Sequence, residues 1–223
     1  MLLLGLDTAT PAVTVALHDG VQPLAQLVTV DAHRHAELLA PAIAKAVADA
    51  GAAQRDLTGI VAGVGPGPYT GLRVGLVTAR VLGAALGIPV YGLCSLDAIA
   101  ADVVAGGDEE LYGDFLVATD ARRRELYWAR YDSAGRRIFG PEVSRPAEIP
   151  AAGLAAAGEG PMLYPELLPK GLGPAYPAAA TLCRIAVAAI AAGDPDKVLL
   201  PPEPLYLRRP DAREPGTPKR VTP

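Results

Sequence analysis

Apolar positions open the chain as two compact runs, residues 2–6 and 13–17. The first is broken by Asp7 and the second by the turn pair Asp19-Gly20. Continuous apolar runs of this length bounded by turn residues read as buried strands. Residues 24–30 read as a third strand. The period then changes. From His35 to Ala50 apolar residues recur at helical spacing, with Asp31 placed to start the helix and Gly51 to stop it. Residues 59–64 form a fourth strand. The Gly/Pro loop 65–71 follows, and then a long helical pattern that runs to about Leu86 and stops at Gly87 and Pro89. Val90 and Tyr91 make a short strand, and Ser95 is placed to cap a helix over 96–105.

The order is β-β-β-α-β-α-β-α. Three hairpin-linked strands followed by alternating helices and strands predict a mixed sheet with helices on its faces, the ribonuclease-H-like arrangement. The second half begins in the same way. Residues 115–119 form a strand ending at Asp120, 125–131 a second, 132–135 a turn, and 136–139 the start of a third. Asp7 and Asp19 stand twelve apart, as do Asp120 and Asp132. Hairpin turns favour Asp and Gly in any case, but the matched spacing favours an internal duplication. The second copy then departs from the first. Pro-rich segments fill 141–177 and one clear helix follows, over 177–192. The predicted architecture is two ribonuclease-H-like lobes with mixed sheets, residues 1–108 and a reduced 109–208, with a disordered tail over 209–223.

Composition narrows the class. Of 223 residues, 51% are hydrophobic but only 5% aromatic, so the core is built largely from small side chains. The net charge of −4 argues against a surface that grips nucleic acid all round. Cys94 and Cys183 have no metal-ligand spacing and no partners for a disulfide framework, which points to a reducing cytoplasm. The N-terminal run has no charged lead-in or cleavage site, so no signal peptide is expected. Arg80 and Arg184 interrupt the apolar stretches, so no membrane span is expected either.

Few residues suggest chemistry. Two lobes, each with an acid after its first strand, have the plan of the actin, hexokinase and heat-shock ATPases. There the paired loops hold Mg²⁺ and phosphates. Asp7, Thr8 and Thr10 occupy one such position and Asp120 the other. Those loops usually carry Gly two residues after the acid, and here Ala9 and Arg122 stand instead, so the acids can equally serve as turn caps. The loop with Gly65, Gly67 and Thr70 opens a helix after a strand, a general anion-binding geometry, although Pro66 and Pro68 remove donors and no Lys follows. Gly71, Gly75, Ala79 and Gly83 recur every four residues on that helix. Such a stripe lets another helix approach closely, either inside the subunit or across an interface. His33 and His35 are two apart, the wrong spacing for a helical metal pair. The Arg122-Arg123-Arg124 cluster reads as a solvated strand edge in preference to a phosphate contact.

The residues also resemble a known family. Leu4-Gly5-Leu6-Asp7-Thr8-Ala9-Thr10, His35-Ala36-Glu37-Leu38-Leu39-Ala40-Pro41, Gly65-Pro66-Gly67-Pro68-Tyr69-Thr70-Gly71-Leu72-Arg73-Val74-Gly75, Asp120-Ala121-Arg122-Arg123-Arg124-Glu125-Leu126-Tyr127-Trp128 and Pro204-Leu205-Tyr206-Leu207-Arg208 are similar, in order, to the motifs of the bacterial TsaB family of tRNA threonylcarbamoyladenosine biosynthesis proteins. The resemblance implies an actin-like, sugar-kinase-like α/β fold and a non-catalytic role beside the catalytic paralogue TsaD, with the ATPase TsaE joining and tRNA reached through the complex. It implies no tightly bound cofactor, no metal in this chain, and ATP or ADP with Mg as candidates at the complex interface. It places the partner interface, or a homodimer interface, on the first two helices, at His35, Leu38, Leu39, Gly71, Arg73, Gly75, Ala79 and Gly83. Pro68-Tyr69 stands where the family often has Ser-Phe.

Overall fold

The computed structural model describes residues 1–107 and 113–208. Three strands open the chain, β1 (Leu3–Asp7), β2 (Ala12–His18) and β3 (Pro23–Val30), joined as an antiparallel meander. Helix α1 (His35–Asp49) leads to β4 (Gly59–Gly65), which lies parallel to β1. Helix α2 (Tyr69–Leu86) leads to β5 (Val90–Cys94), parallel to β4. The sheet order is β3-β2-β1-β4-β5, as expected for the ribonuclease-H-like arrangement. The continuous apolar runs have their reason here, because β1, β2 and β4 are buried on both faces. Leu4, Leu6, Ile60 and Ala62 pack under α1 and α2, while Leu3, Val61 and Leu93 face the other side.

Helix α3 (Ser95–Gly106) joins the lobes. Its Leu96, Ile99 and Val103 pack against Phe115, Val117 and Tyr131 of the second sheet. That sheet comprises β6 (Phe115–Asp120), β7 (Leu126–Tyr131) and β8 (Arg137–Ser144) as an antiparallel meander, with β9 (Ala155–Ala157) parallel to β6. Its order, β8-β7-β6-β9, repeats β3-β2-β1-β4. The duplication read from the acid spacing is therefore present in the topology. Asp7 Oδ1 accepts the Ala9 N–H at 2.8 Å and Asp120 Oδ1 accepts the Arg122 N–H at 2.8 Å. Asp19 and Asp132 likewise each accept two backbone N–H groups in their turns. Helix α4 (Gly160–Leu163) is a single turn after β9.

The division of the chain needs one correction. Helix α5 (Ala179–Ala191) lies within the span assigned to the second lobe, yet Leu182, Cys183 and Ala186 pack on Leu3 and Val61 of the first sheet. Gly5 admits it, since a Cβ there would collide with the Ala179 carbonyl and the Cys183 sulfur. The first sheet gained a second cover from the far end of the chain, which local periodicity cannot reveal. The lobe boundary drawn at 108 and the tail over 209–223 lie outside the described residues. Among the described residues no helix is long and apolar enough to cross a membrane.

Candidate functional site

Asp7 ends β1 in the middle of the sheet and is completely buried. Ser95 Oγ donates to its Oδ2 at 2.5 Å, and the same hydroxyl accepts the Gly65 N–H at 3.2 Å. Gly63 leaves the space that the carboxyl group fills, and any Cβ there would collide with it. Burial pushes the Asp7 carboxyl up to about 6, against the two hydrogen bonds from Ser95 and Ala9 that pull it down. Ser95 begins α3 without capping it, because its hydroxyl is turned to Asp7. The cap expected from the sequence is thus replaced by a bond that ties α3 to β1.

Thr8 and Thr10 bind the helices that follow. Thr8 Oγ1 donates to the Gly71 carbonyl at 2.8 Å and accepts the Gly75 N–H at 3.0 Å. His35 is buried, and its Nε2 donates to the Thr10 carbonyl at 2.8 Å. Gly67 lies against the Ala9 backbone with no room for a side chain. Gly75, Ala79 and Gly83 are buried, and Leu39 belongs to the same core under α1 and α2. A Cβ on Gly75 would meet Thr8 Oγ1, and one on Gly83 would meet Val90. The partner assignment is corrected for His35, Leu39, Gly71, Gly75, Ala79 and Gly83: they make the close approach of α1 and α2 to their own sheet. Leu38 is half-buried, and Arg73 alone of that set is exposed. Among the apolar residues that α1 and α2 expose are Ala36, Ala40 and Pro41 on the first and Val77 and Val81 on the second.

A cavity of about 300 Å³ lies between the lobes. Its walls include Thr8, Thr10, His33, His35, Thr70, Gly71 and, from the second lobe, Arg122. Of the sequence-predicted loop residues, Thr8, Thr10 and Thr70 meet here and four do not line the cavity: Asp7 is sealed behind the wall, Gly65 and Gly67 shape the loop, and Asp120 stands behind Arg122. Asp120 pairs with Arg122 at 3.2 Å. Arg122, Arg123 and Arg124 all adopt left-handed backbone conformations (φ 60°, 56° and 61°), so the basic cluster is a tight β6–β7 turn with one guanidinium directed to the cavity.

Three features were not read from the sequence. Glu159 is buried after β9 and accepts the Asp120 N–H at 3.3 Å. Burial, and then the Asp120 charge, push it up to about 7, partly countered by that hydrogen bond and by Arg122. Asp97 on α3 accepts the Tyr131 hydroxyl at 2.7 Å and lies 3.4 Å from Arg137, a polar joint between the lobes. Finally, the segment after α5 returns along the first sheet. Leu200 pairs with Gly92 and the Leu205 N–H donates to the Val64 carbonyl. Tyr206 stacks on Tyr69 and accepts from Arg73 Nε at 2.7 Å, and Arg208 reaches Glu125 and the Ala121 carbonyl. None of these has a fixed sequence spacing, and only the Pro204–Arg208 motif could have flagged the last.

Comparison with known proteins adds family information to this geometry. A family model described as "TsaD: tRNA N6-adenosine threonylcarbamoyltransferase" matches residues 13–170. An uncharacterized protein of Mycobacterium tuberculosis is 48% identical over 95% of this chain and 93% of its own length. The tRNA threonylcarbamoyladenosine biosynthesis protein TsaB of Bacillus subtilis is 31% identical over 59% of this chain and 55% of its own. The solved structure of YeaZ from Pseudomonas aeruginosa superposes with a TM-score of 0.72 at 31% identity, covering 92% of this chain and 99% of that one.

Proposed function

The chain belongs to the TsaB family, and from that premise we propose that it is the non-catalytic subunit of a tRNA threonylcarbamoyl transferase complex, pairing through α1 and α2 with a TsaD-type subunit. Membership supports a role in tRNA threonylcarbamoyladenosine biosynthesis. In this reading the TsaD-type subunit carries the transfer to adenosine, a TsaE-type ATPase joins the pair, and tRNA is engaged through the complex.

The observation that carries the reading is the enclosure of Asp7. In an ATPase of this architecture the acid after the first strand would face phosphate and magnesium. Here both its oxygens are engaged by Ala9 and Ser95, Gly63 packs over it, and it has no share in the cavity wall. The residues at the first loop therefore do not fit a magnesium nucleotide. The buried Gly75, Ala79 and Gly83 support the reading from the other side. By letting α2 settle onto β1 and Thr8, they set the angle at which α2 presents Val77 and Val81 outward. Exposed apolar side chains on two adjacent helices, Val77 and Val81 on α2 and the smaller Ala36, Ala40 and Pro41 on α1, suit a helical partner.

An independent nucleotide-binding ATPase is the second reading, favoured by the cavity that both lobes line around Arg122. The test mixes the full chain with the TsaD-type subunit of the same organism and follows complex formation by calorimetry, with ATP turnover of the isolated chain in parallel. We expect a stoichiometric complex and no turnover by the chain alone. An ATPase activity that Asp7→Asn abolishes, without complex formation, would establish the second reading instead.

A further inference from the structure

The exposed stripe of α2 has a definite electrostatic character. The helix carries two charged side chains, Arg73 and Arg80, and no acid. They stand seven residues apart, two turns, and so point to the same side about 10 Å apart along the axis. Between and beside them Val77 is 57% exposed and Val81 64%. No carboxylate among the described residues pairs with either arginine.

Arg73 is also held in place. Its guanidinium lies 3.7 Å from the Tyr69 ring centroid and 5.9 Å from that of Tyr206, while Nε is engaged by the Tyr206 hydroxyl. The Tyr206 bond uses Nε, and no carboxylate among the described residues pairs with the Nη groups. Tyr206 is itself fixed from both sides, by the Leu205–Val64 bond to the first lobe and by Arg208 to Ala121 and Glu125 of the second. An exposed arginine normally loses much rotamer freedom on binding, and one already stacked and bonded has less to lose.

We propose that Arg73 is the carboxylate-binding anchor of the partner face, held by the strap 204–208, and that the partner presents an apolar helix flanked by acidic side chains. This rests on the pairing proposed above and specifies its chemistry. Charge favours a heterologous partner, since packing α2 on α2 of a second copy would set arginines against arginines. The planar fork of Arg73 suits a carboxylate end-on, which a lysine cannot reproduce.

Binding of the full chain to the TsaD-type subunit is measured by calorimetry at low and high salt for the wild type, Arg73→Glu, Arg73→Lys and Tyr206→Phe. Melting temperatures control for folding, and sedimentation of each chain alone reports self-association. We expect Arg73→Glu to weaken binding by about 30-fold or more and Arg73→Lys by about tenfold. Tyr206→Phe keeps the ring and loses the acceptor, and should weaken binding by a few-fold. Equal binding by the wild type and Arg73→Glu would overturn the anchor while leaving the pairing intact. Failure of the wild type to bind would overturn the pairing and this partner with it. A dimer of the chain alone that Arg73→Glu dissociates would assign the stripe to a second copy.

Discussion

At the residue scale, Asp7 and Glu159 are the two carboxyls that burial shifts furthest, and they lead the expected variation of stability with pH. Both carboxyls are raised by burial, to about 6 and about 7. An acid whose folded pKa exceeds its unfolded value binds its proton more tightly when folded. Its contribution is fully present below about pH 4 and is lost as pH rises through 6 to 7. For Asp7, going from 3.8 to about 6 corresponds to about 3 kcal/mol at most. Urea unfolding between pH 4.5 and 7.5 should therefore show stability falling with pH, and Asp7→Asn should flatten that slope. Parallel slopes for the two proteins would mean that Asp7 is solvated and open to the cleft. Little of this could be read from the chain. The sequence marks Asp7 as an acid after a strand and is silent on Ser95, 88 positions away, whose hydroxyl turns it inward. Glu159 lies between two glycines with no periodic pattern around it, so only the fold reveals that it meets Asp120.

At the element scale, most strands and helices were legible because their periods are clean and their ends are marked. Asp19-Gly20, Gly51 and Gly87 end elements close to where the structure ends them, and the left-handed φ of 66° at Gly87 stops α2. β9 was not legible. Three alanines carry no period, and the strand exists because β6 offers an edge to pair with. The stripe on α2 was visible as a pattern, but not the side it faces. Small residues at a spacing of four serve a core contact and an interface equally well, and the competing contact, Thr8, lies in a loop more than sixty residues away. The structure resolves this toward the core, with a measurable consequence. Gly75→Ala would set a Cβ against Thr8 Oγ1 and 3.3 Å from Leu6 Cδ1. It should destabilise the chain by about 1–2 kcal/mol despite the better helix propensity of Ala, while Val77→Ala on the exposed side should change stability by less than about 0.5 kcal/mol. Chemical denaturation of both variants checks this, and a fully stable Gly75→Ala would return the stripe to the surface.

At the scale of the whole molecule, duplication gave two lobes the same strand order, and later contacts tied them together. Helix α5 returns to the first sheet, Asp97 joins Tyr131 and Arg137, and the strap ends on Glu125. A chain bound together in this way, with its first-lobe acid enclosed, suits a rigid subunit that presents a helical face better than a clamp that closes on nucleotide. We propose that tRNA modification requires this chain although the chain does not perform the transfer. The most direct test reconstitutes the reaction from tRNA, a source of threonylcarbamoyl-adenylate, the TsaD-type subunit and the TsaE-type ATPase, and counts modified adenosines with and without this protein. We expect multiple turnover only when it is present, and none from the chain without the TsaD-type subunit. Equal modification in its absence would overturn the proposed requirement.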